Sequence, residues 1–337
     1  MKEIEVEALN KTGTFRKLPI DGVLEETHIS WVIVGKKNVF KIKKPLKLSF
    51  LDFSSLARRK KFCERELYLN QRFSPIYLNV LPVRRANNRW NIGESAGTIV
   101  DYVVHMKRLS STKRMDKLLK AKKVTSKHIG SLANVISSFH RNAIRVRKPF
   151  HLRKAQEEFN DVGSVSRLAR KYIGVDAANV IKESISWSNT FLKRHEGRIA
   201  ERINTGFYRD LHGDLHSGNI FLYAKPILFD CIEFNDSYRQ IDLINEIAFF
   251  CMDLEAFGRM GLSQHFVKEY QRRLNCFQTD EDYLLMKYYK CYRANVRAKV
   301  HALSADQSRG EEKTFENHVS ECRKYLSLMK TYMQQSR

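Results

Sequence analysis

The stretch His212-Gly213-Asp214-Leu215-His216-Ser217-Gly218-Asn219, followed by Ile227-Leu228-Phe229-Asp230, decides how the rest of the chain is read. Asp214, Asn219 five residues on, and Asp230 at the end of a short apolar strand form an ordered set of oxygen-bearing side chains. Taken singly, each has a bland explanation: an Asp beside a glycine serves an Asx-turn, an Asn caps a helix, an Asp closes a strand. Together, in this order and between strands, they outweigh it. His212 and His216 stand four apart, but the two glycines argue against the helix that a zinc pair at this spacing needs. No third strong ligand lies nearby.

Phosphoryl transfer needs a carboxylate that orients the attacking hydroxyl and oxygen ligands that hold divalent cations against the nucleotide phosphates. In the protein-kinase template the base Asp precedes a metal-binding Asn by five residues, and a second metal-binding Asp follows. Asp214, Asn219 and Asp230 match in spacing, residue type and flanking strands.

Upstream, Ile29–Val34 and Asn38–Lys43 read as a hairpin around Gly35-Lys36-Lys37. Ser54 or Ser55 caps a helix reaching about Phe73. Leu78–Arg85 and Arg89–Ile92 flank a second turn at Ala86-Asn87-Asn88, and Ile99–Met106 is a further strand. Beyond it the period becomes 3.6: Ile129, Leu132, Ala133 and Ile136 share one helical face, and Ile181, Ile185, Leu192 and Ile199 mark a long helix. Strands return briefly at Ile220–Leu222 and Ile227–Phe229. From Ile241 the chain reads as helices broken near Gly258–Gly261 and Ser308–Gly310. The expectation is an α+β, two-lobed chain, with a β-rich N-lobe over 1–106 containing one helix and a mainly helical C-lobe over 107–337.

The N-lobe helix carries its own signal. Phe62, Glu66, Leu69 and Phe73 lie on one stripe, so Glu66 faces inward and needs a cationic partner. Glu64 reads as surface. Lys41 and Lys43 share one face of their strand, so periodicity alone does not say which lysine serves a nucleotide.

Charge is the compositional outlier: 60 Lys+Arg against 37 Asp+Glu give +23 over 337 residues. Such an excess attracts phosphorylated substrates or polyanions. Lys36–Lys61 holds ten basic residues against Asp52, Lys107–Lys127 nine against Asp116, and Arg141–Lys154 six against none. No apolar run approaches the ~18 residues that span a bilayer. The N-terminus has no apolar segment of the kind that directs secretion. The six cysteines include no C-x-x-C pair. A cytoplasmic protein with no membrane contact is expected.

The string HGDLHSGN followed by LFDCIEFND resembles the aminoglycoside phosphotransferase and choline kinase group, which has the bilobal protein-kinase-like fold. Thr27–Trp31, Val39–Pro45, Phe50–Phe53, Cys63–Leu67 with Asn70, and Tyr292–Lys299 look like a bacterial branch known only as aminoglycoside-phosphotransferase-like. The likeness runs from about residue 25 to 303. Many members of that branch carry a C-terminal P-loop domain. This sequence has no G-x-x-x-x-G-K-[ST], so the phosphotransferase part alone is expected.

The resemblance implies roles. Asp214 would be the catalytic base, Asn219 and Asp230 the Mg2+ ligands, and His212 and Asp242 supports of the catalytic loop. Glu233 matches a family acid. Lys41, whose apolar-apolar-Lys-apolar context matches the family best, would hold the phosphates of ATP, with Glu66 holding Lys41. Thr27–Ser30 replaces the glycine-rich loop, giving Ser30 a phosphate contact. Met106 begins the hinge (Met106–Arg108) that would meet the adenine.

The reading is therefore an ATP- and Mg2+-dependent transfer of the γ-phosphoryl group to a hydroxyl of a small, anionic acceptor, with the nucleotide bound between the lobes. Aminoglycosides do not fit, being polycations facing a basic chain. A protein kinase is one alternative, although the segment from Asp230 to Asp242 is short for an activation loop. A non-enzymatic nucleotide- or nucleic-acid-binding module using the basic stretches is another, and few aromatics lie among those residues for base stacking.

Overall fold

The structure is a computed structural model describing residues 1–48, 51–87 and 89–336. Phe50 of the Phe50–Phe53 string and Asn88 of the second expected turn lie outside the described residues. The chain forms two compact units, Met1–Leu118 with Gly218–Arg239, and Leu119–Ser217 with Gln240–Arg337. The sequence reading places a single boundary after Met106.

The first unit opens with α1 (Glu3–Thr12), then β1 (Thr14–Phe15), β2 (Leu18–Pro19), β3 (Val23–Glu26), β4 (Ser30–Val34) and β5 (Asn38–Lys43). β6 (Lys47–Leu48), β7 (Leu51–Asp52), α2 (Leu56–Gln71), β8 (Tyr77–Ala86), β9 (Arg89–Ile92) and β10 (Thr98–Lys107) follow. Eight strands make one sheet in the order β2-β1-β9-β8-β10-β5-β4-β3, antiparallel except where β1 meets β9. The β4–β5 hairpin pairs Ser30 with Lys43 and Val34 with Val39. Because side chains alternate across a strand, Phe40 and Ile42 enter one core with Trp31, Ile33, Val103 and the α1 residues Val6 and Leu9. Val39 joins the core on the other face, with Cys63 of α2, Tyr77, Val104 and Met106. α2 starts at Ser55, whose Oγ accepts the Arg58 N–H at 3.3 Å. α1 is a second helix where one was expected: its two apolar turns, at Val6 and Leu9, make too short a stripe to stand out.

The second unit is helical. After α3 (Met115–Lys120) come α4 (Ser126–Asn142), α5 (Leu152–Asn160), α6 (Ser166–Tyr172), α7 (Val175–Arg194) and α8 (Glu196–Asn204). The expected long helix through Ile199 is two, because His195 leaves helical geometry (φ −105°, ψ 14°) and lodges its Nδ1 on Glu281. Ile181 and Ile199 are both buried, so the apolar period runs on across a one-residue break that it cannot register. β11 (Tyr208–Asp210) pairs with a later strand. The hairpin of β12 (Ile220–Phe221) and β13 (Ile227–Leu228) falls in the segment belonging to the first unit. β14 (Gln240–Asp242) closes the small sheet with β11 and leads into α9 (Leu243–Ala256), α10 (Met260–Arg273), α11 (Asp280–Gln307) and α12 (Glu312–Gln335). Every residue of α9 from Leu243 to Glu255 is buried, which makes it the central helix of the unit, with α10 and α11 packed on it. Among the described residues no helix is long and apolar enough to cross a membrane.

Candidate active site

In the first unit β5 and α2 build a charge cluster. Lys41 Nζ donates to Glu66 Oε1 at 2.9 Å and to Asp230 Oδ1 at 2.6 Å. Lys43 Nζ donates to Glu66 Oε2 at 2.7 Å and also pairs with Glu233. Glu66 is fully enclosed with a lysine on each oxygen. Burial would raise its carboxyl, but the two ammonium groups outweigh that and hold it near 2. Burial likewise opposes the charge on each lysine and is overcome by the surrounding carboxylates, so both stay protonated. Glu233, buried with one lysine against it, is pushed above the ordinary range by desolvation.

The cluster is closed at one end and open at the other. The Lys43 side chain has no exposure and lies over the Phe53 ring at 4.9 Å. Asp230 is 43% exposed. Its backbone is left-handed (φ 63°), a strained setting for a non-glycine residue. Two contacts hold that conformation: the Asp230 N–H donates to Tyr77 Oη at 3.0 Å, and the Cys231 N–H donates to Asn70 Oδ1 at 3.0 Å. Asn219 is buried at the end of a 3₁₀ turn, and its carbonyl accepts the Phe229 N–H at 3.1 Å across the β12–β13 hairpin. Ser30 lies opposite Lys43, fully buried, with a hydroxyl that has no partner among the described residues. Met106 is buried in the α2-side core, with strand neighbours Val39 and Tyr77 on its two sides.

In the second unit the loop after β11 is braced from beneath. Gly213 takes φ 84°, which a side chain disfavours. Glu246 accepts the N–H of His212 at 2.7 Å on Oε1 and that of Gly213 at 2.9 Å on Oε2. Arg293 Nη1 donates to Gly213 O at 3.0 Å, and Asp253 accepts the Ser217 N–H at 2.8 Å. His212 is fully buried, and its Nδ1 accepts the Asp214 N–H at 3.3 Å. The Asp214 carboxylate, 36% exposed, faces His216 Nε2 at 3.4 Å. Partial burial opposes its ionisation, but His216, Arg297 and His212 prevail and hold it well below the usual carboxylate range. A carboxylate so placed is ionised and can accept hydrogen bonds.

Asp242 opens α9. It caps α9 through the Ile244 N–H at 2.7 Å and takes Arg202 in a fork at 2.7 and 2.8 Å. The carboxylate beneath the backbone of residues 212 and 213 is Glu246, one turn later. Sequence reasoning missed Glu246, Asp253, Arg293 and Arg297. A signal existed for the first two: acids inside an otherwise apolar helix buried on all sides must have built-in partners.

Asp230 and Asn219 carry the hard oxygen donors that magnesium prefers. Lys41 occupies only Oδ1 of Asp230, and Oδ2 has no hydrogen bond among the described residues. Lys41 and Lys43 face three carboxylates, so the cluster holds one excess negative charge, and its most exposed member is Asp230. These residues suit a divalent cation.

No family model matches the sequence. Uncharacterised proteins of Mycobacterium tuberculosis and Mycobacterium bovis are 30% identical over 298 residues, covering 86% of this chain and 56% of theirs. The chain thus spans about half the length of the curated relatives it matches. Among solved structures, a choline kinase from Cryptosporidium parvum is similar at TM-score 0.57 and 13% identity, covering 99% of this chain and 96% of that one. An aminoglycoside 2′-phosphotransferase-IIIa variant in its GDP complex is similar at TM-score 0.51 and 9% identity, covering 91% and 90%. A choline/ethanolamine kinase family protein from Mesorhizobium loti gives 0.50 at 12%, covering 98% and 100%. These likenesses establish the fold as α+β and protein-kinase-like, in agreement with the resemblance carried by the loop sequence.

Proposed function

We propose that the chain transfers the γ-phosphoryl group of ATP to a hydroxyl of a small molecule, with magnesium. The observation that carries this reading is the pairing of Lys41 with both Glu66 and Asp230, in a chain whose Asp214 is held on a braced loop. Lys41 would take phosphate oxygens, with Glu66 fixing its direction. Asn219 and Asp230 would hold Mg2+, which when bound neutralises charge on the β- and γ-phosphates. Asp214 would accept the hydrogen bond of the acceptor hydroxyl. As the new oxygen–phosphorus bond forms and the bond to the β-phosphate breaks, ADP leaves and the hydroxyl proton passes to the Asp214 carboxylate. The backbone of Met106–Arg108 is the proposed adenine contact. Ser30, with its hydroxyl enclosed, is better suited to contributing through backbone N–H groups nearby.

The basic stretches lend less to a nucleic-acid reading than their sequence suggests. Lys41, Lys43 and Arg59 of the first stretch are buried against Glu66, Asp230, Glu233 and Asp101. All six cysteines are buried thiols, in keeping with a reducing compartment, the proposed cytoplasmic location.

The test combines calorimetry with turnover. ATP affinity should depend strongly on magnesium, and Asp214→Asn should keep MgATP binding while losing about 10²–10⁴ of the ATP consumption found with an active acceptor. Equal ATP affinity with and without magnesium, or an undiminished rate in Asp214→Asn, overturns the assignment.

A further inference from the structure

The stripe on α11 that faces the catalytic loop carries a cation that forks no carboxylate among the described residues. Arg293, Arg297 and His301 recur every four residues, so they stand one above another along the helix. Arg293 is spent on the loop, donating to Gly213 O and, at 2.7 Å, to Asn245 Oδ1. One turn on, Arg297 sits over the Tyr325 ring at 5.6 Å, and its charge acts on the carboxylates of Asp214 and Asp253.

The hydrogen bonds of Arg297 are lopsided. Nη2 meets His301 Nε2 at 3.3 Å, and His301 Nδ1 meets His318 Nδ1 at 3.0 Å. A guanidinium cannot accept, so with both imidazoles neutral His301 Nε2 is the acceptor and its proton sits on Nδ1, donated to His318. The contact with His301 engages one nitrogen of the guanidinium, and the Tyr325 hydroxyl is a further partner. Nε, which shares a fork with Nη2, is buried with no partner. Two buried arginines of the unit differ: Arg198 grips Asp282 at 2.9 and 2.6 Å, and Arg202 grips Asp242. Among the described residues Arg297 makes no ion pair. A buried donor left unmade is costly, and a guanidinium with an unmade N–H is suited to an oxyanion.

We propose that Arg297 binds an oxyanion carried by the acceptor, while Asp214 orients its hydroxyl. The acceptor class is then a hydroxylated phosphate ester or carboxylate. This rests on the phosphotransferase reading for its context, and it supplies a local reason for the acceptor class where the +23 net charge supplies only a general one. Arg297 is a specificity residue here, and the His301–His318 pair positions it.

Three probes sharing one carbon skeleton test it: glycerol 3-phosphate, glycerate and glycerol, titrated by calorimetry or ligand-observed NMR into the parent, Arg297→Gln, Arg297→Lys and Lys41→Met. The parent should bind at least one charged probe roughly tenfold or more tighter than glycerol. Whether the phosphate or the carboxylate probe wins separates the two sources of the anion. Arg297→Gln should lose that preference, and Arg297→Lys, with the charge but not the planar fork, should keep part of it. MgATP affinity should be unchanged in both Arg297 variants, which also reports that they are folded. A preference that survives in Arg297→Gln, or one that vanishes in Lys41→Met instead, overturns the proposal while leaving the phosphotransferase reading intact. Equal binding of all three probes by the parent overturns it too. If the parent binds no MgATP, the phosphotransferase reading fails; far-UV circular dichroism then certifies folding, and the probe arms still decide whether Arg297 is an anion site.

Discussion

Asp242 and Glu246 stand one helical turn apart at the start of α9 and serve different clients: Asp242 grips Arg202 and caps the helix, while Glu246 holds the backbone of residues 212 and 213. Replacing Glu246 by Ala leaves two buried N–H groups unmet, at about 1–3 kcal/mol each. The loop should lose definition, so turnover should fall by more than MgATP affinity does. Kinetics beside calorimetry on Glu246→Ala would show it.

Glu246 also gives the protein a pH signature. Burial, its largest influence, outweighs Arg293 and the two backbone donors and pushes the carboxyl up to about 7 from an ordinary value near 4.5. The native state therefore holds a proton that the unfolded chain has released between these values. The stability linked to this proton is complete below pH 4.5 and is lost as pH rises through 7, at most about 3 kcal/mol. The stability difference between the parent and Glu246→Gln, followed by denaturant melts from pH 4.5 to 8, should shrink as pH rises. His140, with Nε2 3.9 Å from Glu246 and its imidazole depressed to about 3 chiefly by burial, is present in both proteins. Its own titration cancels in the difference.

Lys41→Met and Lys43→Met should part company. Lys43 has no exposure, and its loss leaves Glu233 and one Glu66 oxygen buried without a cation, costing about 3–5 kcal/mol. Lys41 sits at the open end of the cluster, and Glu66 keeps Lys43 when it is gone. Its loss should cost less stability but most of the MgATP affinity. Thermal melts beside nucleotide titrations separate the two.

Asp230→Ala should abolish the magnesium dependence of ATP binding while the fold survives, because the side chain is 43% exposed. Calorimetry with and without magnesium reads it directly, and the melting temperature checks the fold.

Arg202→Met should be among the most damaging changes in the second unit. The guanidinium is fully buried, forked on Asp242 and paired with Asp282 at 2.9 Å. Removing it leaves Asp242 buried without a cation, at about 3–5 kcal/mol, while Asp282 keeps Arg198. A denaturant melt should show the loss with the unfolding slope retained.

The sequence carried the parts of the site that are local in the chain. The Asp214-to-Asn219 spacing, the strand before Asp230 and the inward stripe of α2 that turns Glu66 toward the lysines are all short-range patterns. The structure adds what sequence distance hides: Arg293 lies 80 residues from Gly213, and Asp253 lies 36 from Ser217. The choice between Lys41 and Lys43 was open for a physical reason, since both lie on one strand face and Glu66 receives both. Among the larger elements, the broken helix at His195 escaped because its two halves keep one apolar period.

The two-residue step between Lys41 and Lys43 constrains how this gene can change length. Inserting or deleting one codon inside β5 would turn lysines toward the α1-side core and send Phe40 and Ile42 the other way, so a single frame-preserving event would undo both a salt-bridge cluster and a hydrophobic layer. Point substitution at either lysine leaves the other in place, whereas a one-residue indel between them puts the two on opposite faces. A library of indels should therefore show a sharp depletion across 38–43, with tolerance resuming at exposed turn positions such as Lys36 and Lys37.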